Sequence, residues 1–155
     1  MDYGKTFTIM LVEDDPGDQK LIRTALMGQG YEVDLVIASS AESAINYLQM
    51  SKENSEKYPR PCLVLLDLNM PGMGGKEFLR KIKADEELCV IPVIVLTTSD
   101  SETDIRECYS LHAAGYIQKS AIPEEFNQII SKLTHYWFSI SAIFKNDMML
   151  TKSGN

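Results

Sequence analysis

The sequence predicts a doubly wound α/β domain: five parallel strands in one sheet, covered by helices on both faces. Three observations carry that prediction. Five short apolar runs alternate with five amphipathic stretches, and such alternation calls for right-handed crossovers onto a parallel sheet. The run Cys62-Leu63-Val64-Leu65-Leu66 has no polar alternation, as expected of a strand buried on both faces. Acidic residues stand at the ends of two such runs, Glu13-Asp14-Asp15 after Val12 and Asp67 after Leu66. That is the carboxyl edge of the sheet, where open α/β folds place their ligands.

The elements follow in order. Strands are predicted at 7–12, 31–37, 62–66, 93–96 and 115–118. The first helix opens with Asp15 as N-cap and Pro16 at the first helical position, buries Leu21, Ile22, Ala25 and Leu26, and stops at Gly28 or Gly30. The second opens on Ser39-Ser40-Ala41-Glu42, read as a capping box, and buries Ala44, Ile45 and Leu48. Phe78, Leu79 and Ile82 mark the third. Ser101-Glu102-Thr103-Asp104 opens the fourth, which carries Ile105, Cys108 and Tyr109. The fifth begins near Pro123, with Glu124 and Glu125 in the turn where the helix dipole favours negative charge.

Composition narrows the function classes. At 155 residues the chain is one domain with room for a sizeable core. A net charge of −7 argues against a nucleic-acid footprint, which needs clustered Lys and Arg. Cys62, Cys89 and Cys108 lie inside apolar patterns without metal-ligand spacing and read as reduced thiols of a cytoplasmic protein. Residues 1–5 lack the pattern of a signal peptide, and no apolar stretch approaches the ~18 residues of a membrane span. Residues 151–155 are expected to be disordered.

With strand order 2-1-3-4-5, the acidic ends of strands one and three meet beside Thr97-Thr98 of strand four and Lys119 of strand five. Carboxylates so close cannot all stay ionised without a cation among them. A divalent metal site with Asp67 poised as nucleophile is the simplest reading. Mg²⁺ needs only one or two carboxylates, and a hydroxyl and an ammonium complete a set of groups for phosphoryl transfer. His112 and His135 share no ligand spacing and read as structural.

In these motifs the chain resembles the receiver domain of two-component response regulators, over 6–134, and so a flavodoxin-like fold. Val12-Glu13-Asp14, Leu65-Leu66-Asp67-Leu68-Asn69-Met70-Pro71, Val95-Leu96-Thr97 and Gly115-Tyr116-Ile117-Gln118-Lys119 fall in register with it. The resemblance implies Asp67 as phosphoacceptor, with Mg²⁺ held by Asp14, Asp67 and the Asn69 carbonyl and, through water, by Glu13. It also implies that Thr97 and Lys119 bind the phosphoryl group, and that Tyr116 repacks when Thr97 moves. Leu111-His112, Tyr116 to Ala121 and the tail Tyr136-Trp137-Phe138-Ser139 resemble the single-domain regulators partnered with phytochrome-type histidine kinases. Two positions depart from the family: Ser120 replaces the proline that usually follows the lysine, and Thr98 replaces a smaller residue.

The function expected is a stand-alone regulator, phosphorylated by a sensor histidine kinase and signalling through protein contacts, with no turnover of a separate substrate. Its rivals are a haloacid-dehalogenase-type phosphatase and a phosphorelay intermediate without output. The phosphatase would need a second Asp where Asn69 stands, and a cap domain. A phosphorylation-independent pseudo-receiver is disfavoured, since the acidic site is complete. Beyond Leu133, which completes the receiver core, the apolar stripe Leu133, Trp137, Ile140 and Phe144 runs into a helical extension at 135–150. That stripe predicts a homodimer through helices four and five and the extension, with Trp137 at its centre.

Overall fold

The computed structural model describes residues 6–142. Five strands, β1 (Phe7–Val12), β2 (Val33–Ala38), β3 (Leu63–Leu66), β4 (Val93–Thr97) and β5 (Gly115–Gln118), form one sheet. Its order is β2-β1-β3-β4-β5, with every pairing parallel. The crossovers are α1 (Pro16–Met27), α2 (Ala41–Glu53), α3 (Gly75–Ala84) and α4 (Glu102–Ser110), and α5 (Pro123–His135) closes the domain.

The two-residue period of the strands sorts the core into two layers. Met10, Val12, Val64, Leu66, Val93 and Val95 face α2, α3 and α4, meeting Leu48, Phe78, Leu79 and Cys108. Ile9, Leu11, Leu63, Leu65, Ile94 and Leu96 face the opposite way, onto Ile22 and Leu26 of α1 and Phe126 and Ile130 of α5. Both faces of β3 are therefore apolar, which is why its sequence shows no alternation.

Helix starts follow the expected chemistry with one change of partner. Asp15 caps α1 by accepting the Asp18 N–H at 2.8 Å, and Gly28 ends the helix. Ser40 caps α2, but the reciprocal partner is Ser43 and not Glu42, because the third helical position faces back to the cap. Tyr109 lies on the solvent side of α4, leaving Cys108 as that helix's buried residue. His112 leaves α4 with φ 69°, a left-handed stop that supports a structural role. The described residues contain no cis peptide bond, so Lys119–Ser120 is trans. Cys62, Cys89 and Cys108 form no disulfide.

The second strand begins at Val33, not at residue 31, and Tyr31 before it packs against the tail. After α5 the chain makes a π-helical turn, Tyr136–Ile140, closed by the Ser141 N–H donating to the Tyr136 carbonyl at 2.7 Å. A wider turn advances the register by one residue, so Phe138 is buried there and Trp137 only half-buried. Phe138 stacks on Phe7 with centroids 4.1 Å apart and meets the edge of Tyr31 at 5.2 Å. Tyr31 and the Ser139 hydroxyl lie 2.5 Å apart.

The residues of the predicted dimer stripe differ in their exposure. Leu133 is buried in its own domain's core, Trp137 is half-buried against that core, and Ile140 is 65% exposed. Phe144, like residues 151–155, lies outside the described residues. Phe138→Ala should lower unfolding stability by about 3 kcal/mol, the low end for losing a buried ring, because the site lies at the domain margin. Urea denaturation measures this, and a loss no larger than that of Ile140→Ala would mean the ring contributes little.

Candidate functional site

Backbone pairing assembles the site at the switch point between β1 and β3, where the strand order reverses. The Glu13 N–H donates to the Ala38 carbonyl at 3.0 Å and the Asp67 N–H to the Val12 carbonyl at 3.0 Å. The Lys119 N–H donates to the Thr97 carbonyl at 2.7 Å. Each chemical residue is thus the first one past its strand, or the last within it. The chain returns from Asp67 through Gly72 (φ +79°) to Gly75. A Cβ on Gly75 would lie 2.6 Å from the Asp67 carbonyl oxygen and 2.8 Å from the Leu68 Cα, so only glycine lets α3 start so close beneath Asp67.

Carboxylate oxygens of Glu13, Asp14 and Asp67 lie within 4.8 Å of one another. Glu13 and Asp67 are buried and Asp14 is half-buried. Lys119, its side chain 9% exposed, sends its ammonium to Glu13 Oε1 at 2.5 Å and Asp18 Oδ2 at 2.9 Å, while Asp67 Oδ1 stands 3.7 Å away. Burial pushes the Glu13 carboxyl up to about 7, against the pull of Lys119 and with the Asp67 charge adding to the rise. Asp67 also rises, chiefly through burial, although Lys119 and the Asn69 N–H oppose it. Burial lowers the Lys119 ammonium, but its bonds to Glu13 and Asp18 outweigh that and hold it above the usual lysine range. All the donors are hard oxygens, a set suited to a divalent cation and not to a soft metal.

These shifts fix a pH dependence for the metal-free protein. A carboxyl raised from 4.5 to about 7 on folding favours the native state below 4.5, and loses that contribution as pH climbs through about 7. Asp67 shifts the same way. Asp85 and Asp104, both lowered, keep their contribution throughout this window. In chelator, the urea midpoint should therefore be higher at pH 5.5 than at pH 8; equal midpoints would show that Glu13 and Asp67 titrate normally.

Thr97 is fully buried at the end of β4, and its Oγ1 accepts weakly from the Ser99 N–H at 3.4 Å. Tyr116, half-buried, donates its hydroxyl to the Ser99 carbonyl at 2.9 Å. Ser99 in turn donates to Asp104 at 2.6 Å, and Lys76 joins Asp104 at 2.6 Å to Glu107 at 2.7 Å. The loop after Thr97 is thereby tied to Tyr116, α4 and the start of α3. Asn69 is exposed beside Asp67, and Thr98 is exposed at the mouth of the site.

Two contributors escaped the sequence reading. Asp18 pairs with Lys119 across 101 residues of chain. The Gln19 amide donates to the Glu13 carbonyl at 2.6 Å and reaches the Ser39 hydroxyl at 3.1 Å, bracing the acidic turn. Their only signal was a place in the first turn of α1, one turn beyond the acidic pair.

The response regulator receiver domain family matches residues 9–131. The response regulator Rcp1 of Synechocystis sp. is 37% identical over 129 residues, covering 83% of this chain and 87% of Rcp1. The phosphorylated cyanobacterial phytochrome response regulator RcpA superposes with a TM-score of 0.83 at 37% identity, covering 90% of this chain and 99% of that one. The Mn²⁺-bound form of Rcp1 gives a TM-score of 0.80 at 35% identity, covering 89% and 99%. The strand order, the acidic cluster and the lysine at the end of β5 agree with these matches: the chain belongs to the response regulator receiver domain family.

Proposed function

We propose that the chain is phosphorylated on Asp67 by a sensor histidine kinase and signals through a surface that changes with phosphorylation. The observation that carries this is the setting of Asp67, a buried carboxylate grouped with Glu13 and Asp14 and 3.7 Å from Lys119. An Asp67 oxygen attacks phosphorus, the phosphorus–nitrogen bond of the kinase's phosphohistidine breaks, and the imidazole leaves with the bonding pair. The Lys119 ammonium and the Thr97 hydroxyl donate to the phosphoryl oxygens, where charge accumulates. Mg²⁺ would be held by Asp14, Asp67 and the Asn69 carbonyl, with Glu13 acting through water; when bound it neutralises charge on the carboxylates and the phosphoryl group. The domain then hydrolyses its own acyl phosphate and turns over no separate substrate.

Thr97 and Tyr116 would carry the signal outward. A Thr97 hydroxyl drawn toward the phosphoryl group loosens the Ser99 loop, on which the Tyr116 hydroxyl rests. Likeness to the phytochrome response regulator RcpA supports a phytochrome-type kinase as partner. Exposed Tyr136 and Ile140 with half-buried Trp137 support a homodimer through α4, α5 and the extension beyond α5.

The test is incubation with acetyl phosphate and Mg²⁺. A mass gain of one phosphoryl group, removed by hydroxylamine, is the expected result; no gain with either acetyl phosphate or a phosphorylated kinase would overturn the proposal. Light scattering tests the assembly: a monomer at tens of micromolar, with and without a phosphoryl analogue, would rule the dimer out.

A further inference from the structure

We propose that Asp18 is a positioning residue that holds Lys119 back from Asp67 until a phosphoryl group displaces it. The inference rests on the reading of Asp67 as phosphoacceptor. Lys119 has three N–H donors, and two are taken by Glu13 at 2.5 Å and Asp18 at 2.9 Å. Asp67, whose phosphoryl group the ammonium would have to reach, stands outside hydrogen-bond range at 3.7 Å.

Asp18 is fixed where it can do this. Its N–H is capped by Asp15 at 2.8 Å, which orders the first turn of α1, and its carboxylate reaches Lys119, the first residue past β5. Beside the pair lies a cavity of about 310 Å³ lined by Asp18, Leu21, Ile22, Thr98, Ser120 and Phe126. The ammonium thus has open volume on the Asp18 side and a crowded acidic cluster on the other.

Two effects of Asp18 then share one sign. Its carboxylate competes for the donor a phosphoryl oxygen needs, and its charge repels the phosphoryl dianion. Removing that charge lets Lys119 turn toward Asp67, which strengthens phosphoryl binding. The same movement brings a cation toward Asp67 and so weakens binding of a divalent metal by itself. Loss of mere structural support would weaken both.

Isothermal titration of beryllofluoride, an inert phosphoryl mimic, at saturating Mg²⁺ separates the cases. Asp18→Asn and Asp18→Ala should bind it about threefold to fivefold more tightly than wild type, the range of one partly exposed ion pair. Mg²⁺ alone should bind about twofold more weakly to both variants. Asp18→Glu, which keeps the charge, should stay near wild type. Equal or weaker beryllofluoride binding by both neutral variants would overturn the inference. Wild-type protein that fails to bind beryllofluoride at all would instead overturn the assignment of Asp67.

Discussion

Asp67→Asn should accept no phosphoryl group from acetyl phosphate or from a phosphorylated kinase, a drop of about 100-fold or more in labelling. The amide has no anionic oxygen to attack phosphorus, and the other two carboxylates of the cluster are less well placed to replace it. Asp14 makes none of the Lys119 contacts, and Glu13 is 1% exposed, with its oxygen engaged by Lys119. The substitution is close to isosteric and removes a buried charge whose carboxyl is already pushed up by burial. Metal-free Asp67→Asn should therefore be at least as stable as wild type above pH 7. That separates loss of chemistry from loss of fold. Normal labelling of Asp67→Asn, read by intact mass, would move the phosphoacceptor elsewhere.

The sequence showed this site well because strand ends carry it. A run such as Cys62–Leu66 declares its own burial, and the residue after it must then lie at the sheet edge. Four motifs in one order fixed both the topology and the residues at its switch point. Asp18 was not legible by the same logic. Its partner is remote in sequence, and an acidic residue in a first helical turn already has an adequate explanation in the helix dipole.

The inward residue of the tail was not legible for a different reason. A 3.6-residue period carried through Leu133 puts Trp137 and Ile140 on the inner stripe, but one π-turn at Tyr136–Ile140 rotates the helix and puts Phe138 there. No residue in Tyr-Trp-Phe-Ser-Ile announces that turn. Its cause is tertiary: Phe7 and Tyr31 leave a slot at the amino end of β1 that a ring fills by stacking.

Mg²⁺ should raise the thermal midpoint of the wild-type protein, and Asp14→Ala should remove most of that rise. The folded state gathers three carboxylates within 4.8 Å, whereas the unfolded chain scatters them, so the ion binds the native state selectively. At a free concentration 100 times its dissociation constant the ion contributes about 2.7 kcal/mol, roughly 5–10 °C for a chain of this size. The gain should be larger at pH 8 than at pH 5.5, because burial leaves Glu13 protonated below about 7 and a protonated carboxyl competes with the ion. Asp14 is the informative position: it is half-buried, outside the Lys119 contacts, and its loss removes a ligand without stranding a buried cation. Lys119→Ala should act in the opposite direction, since removing the competing ammonium leaves more negative charge facing the metal. Scanning calorimetry with and without millimolar Mg²⁺ across the three proteins reads both signs. An equal shift in wild type and Asp14→Ala would place the ion at another site.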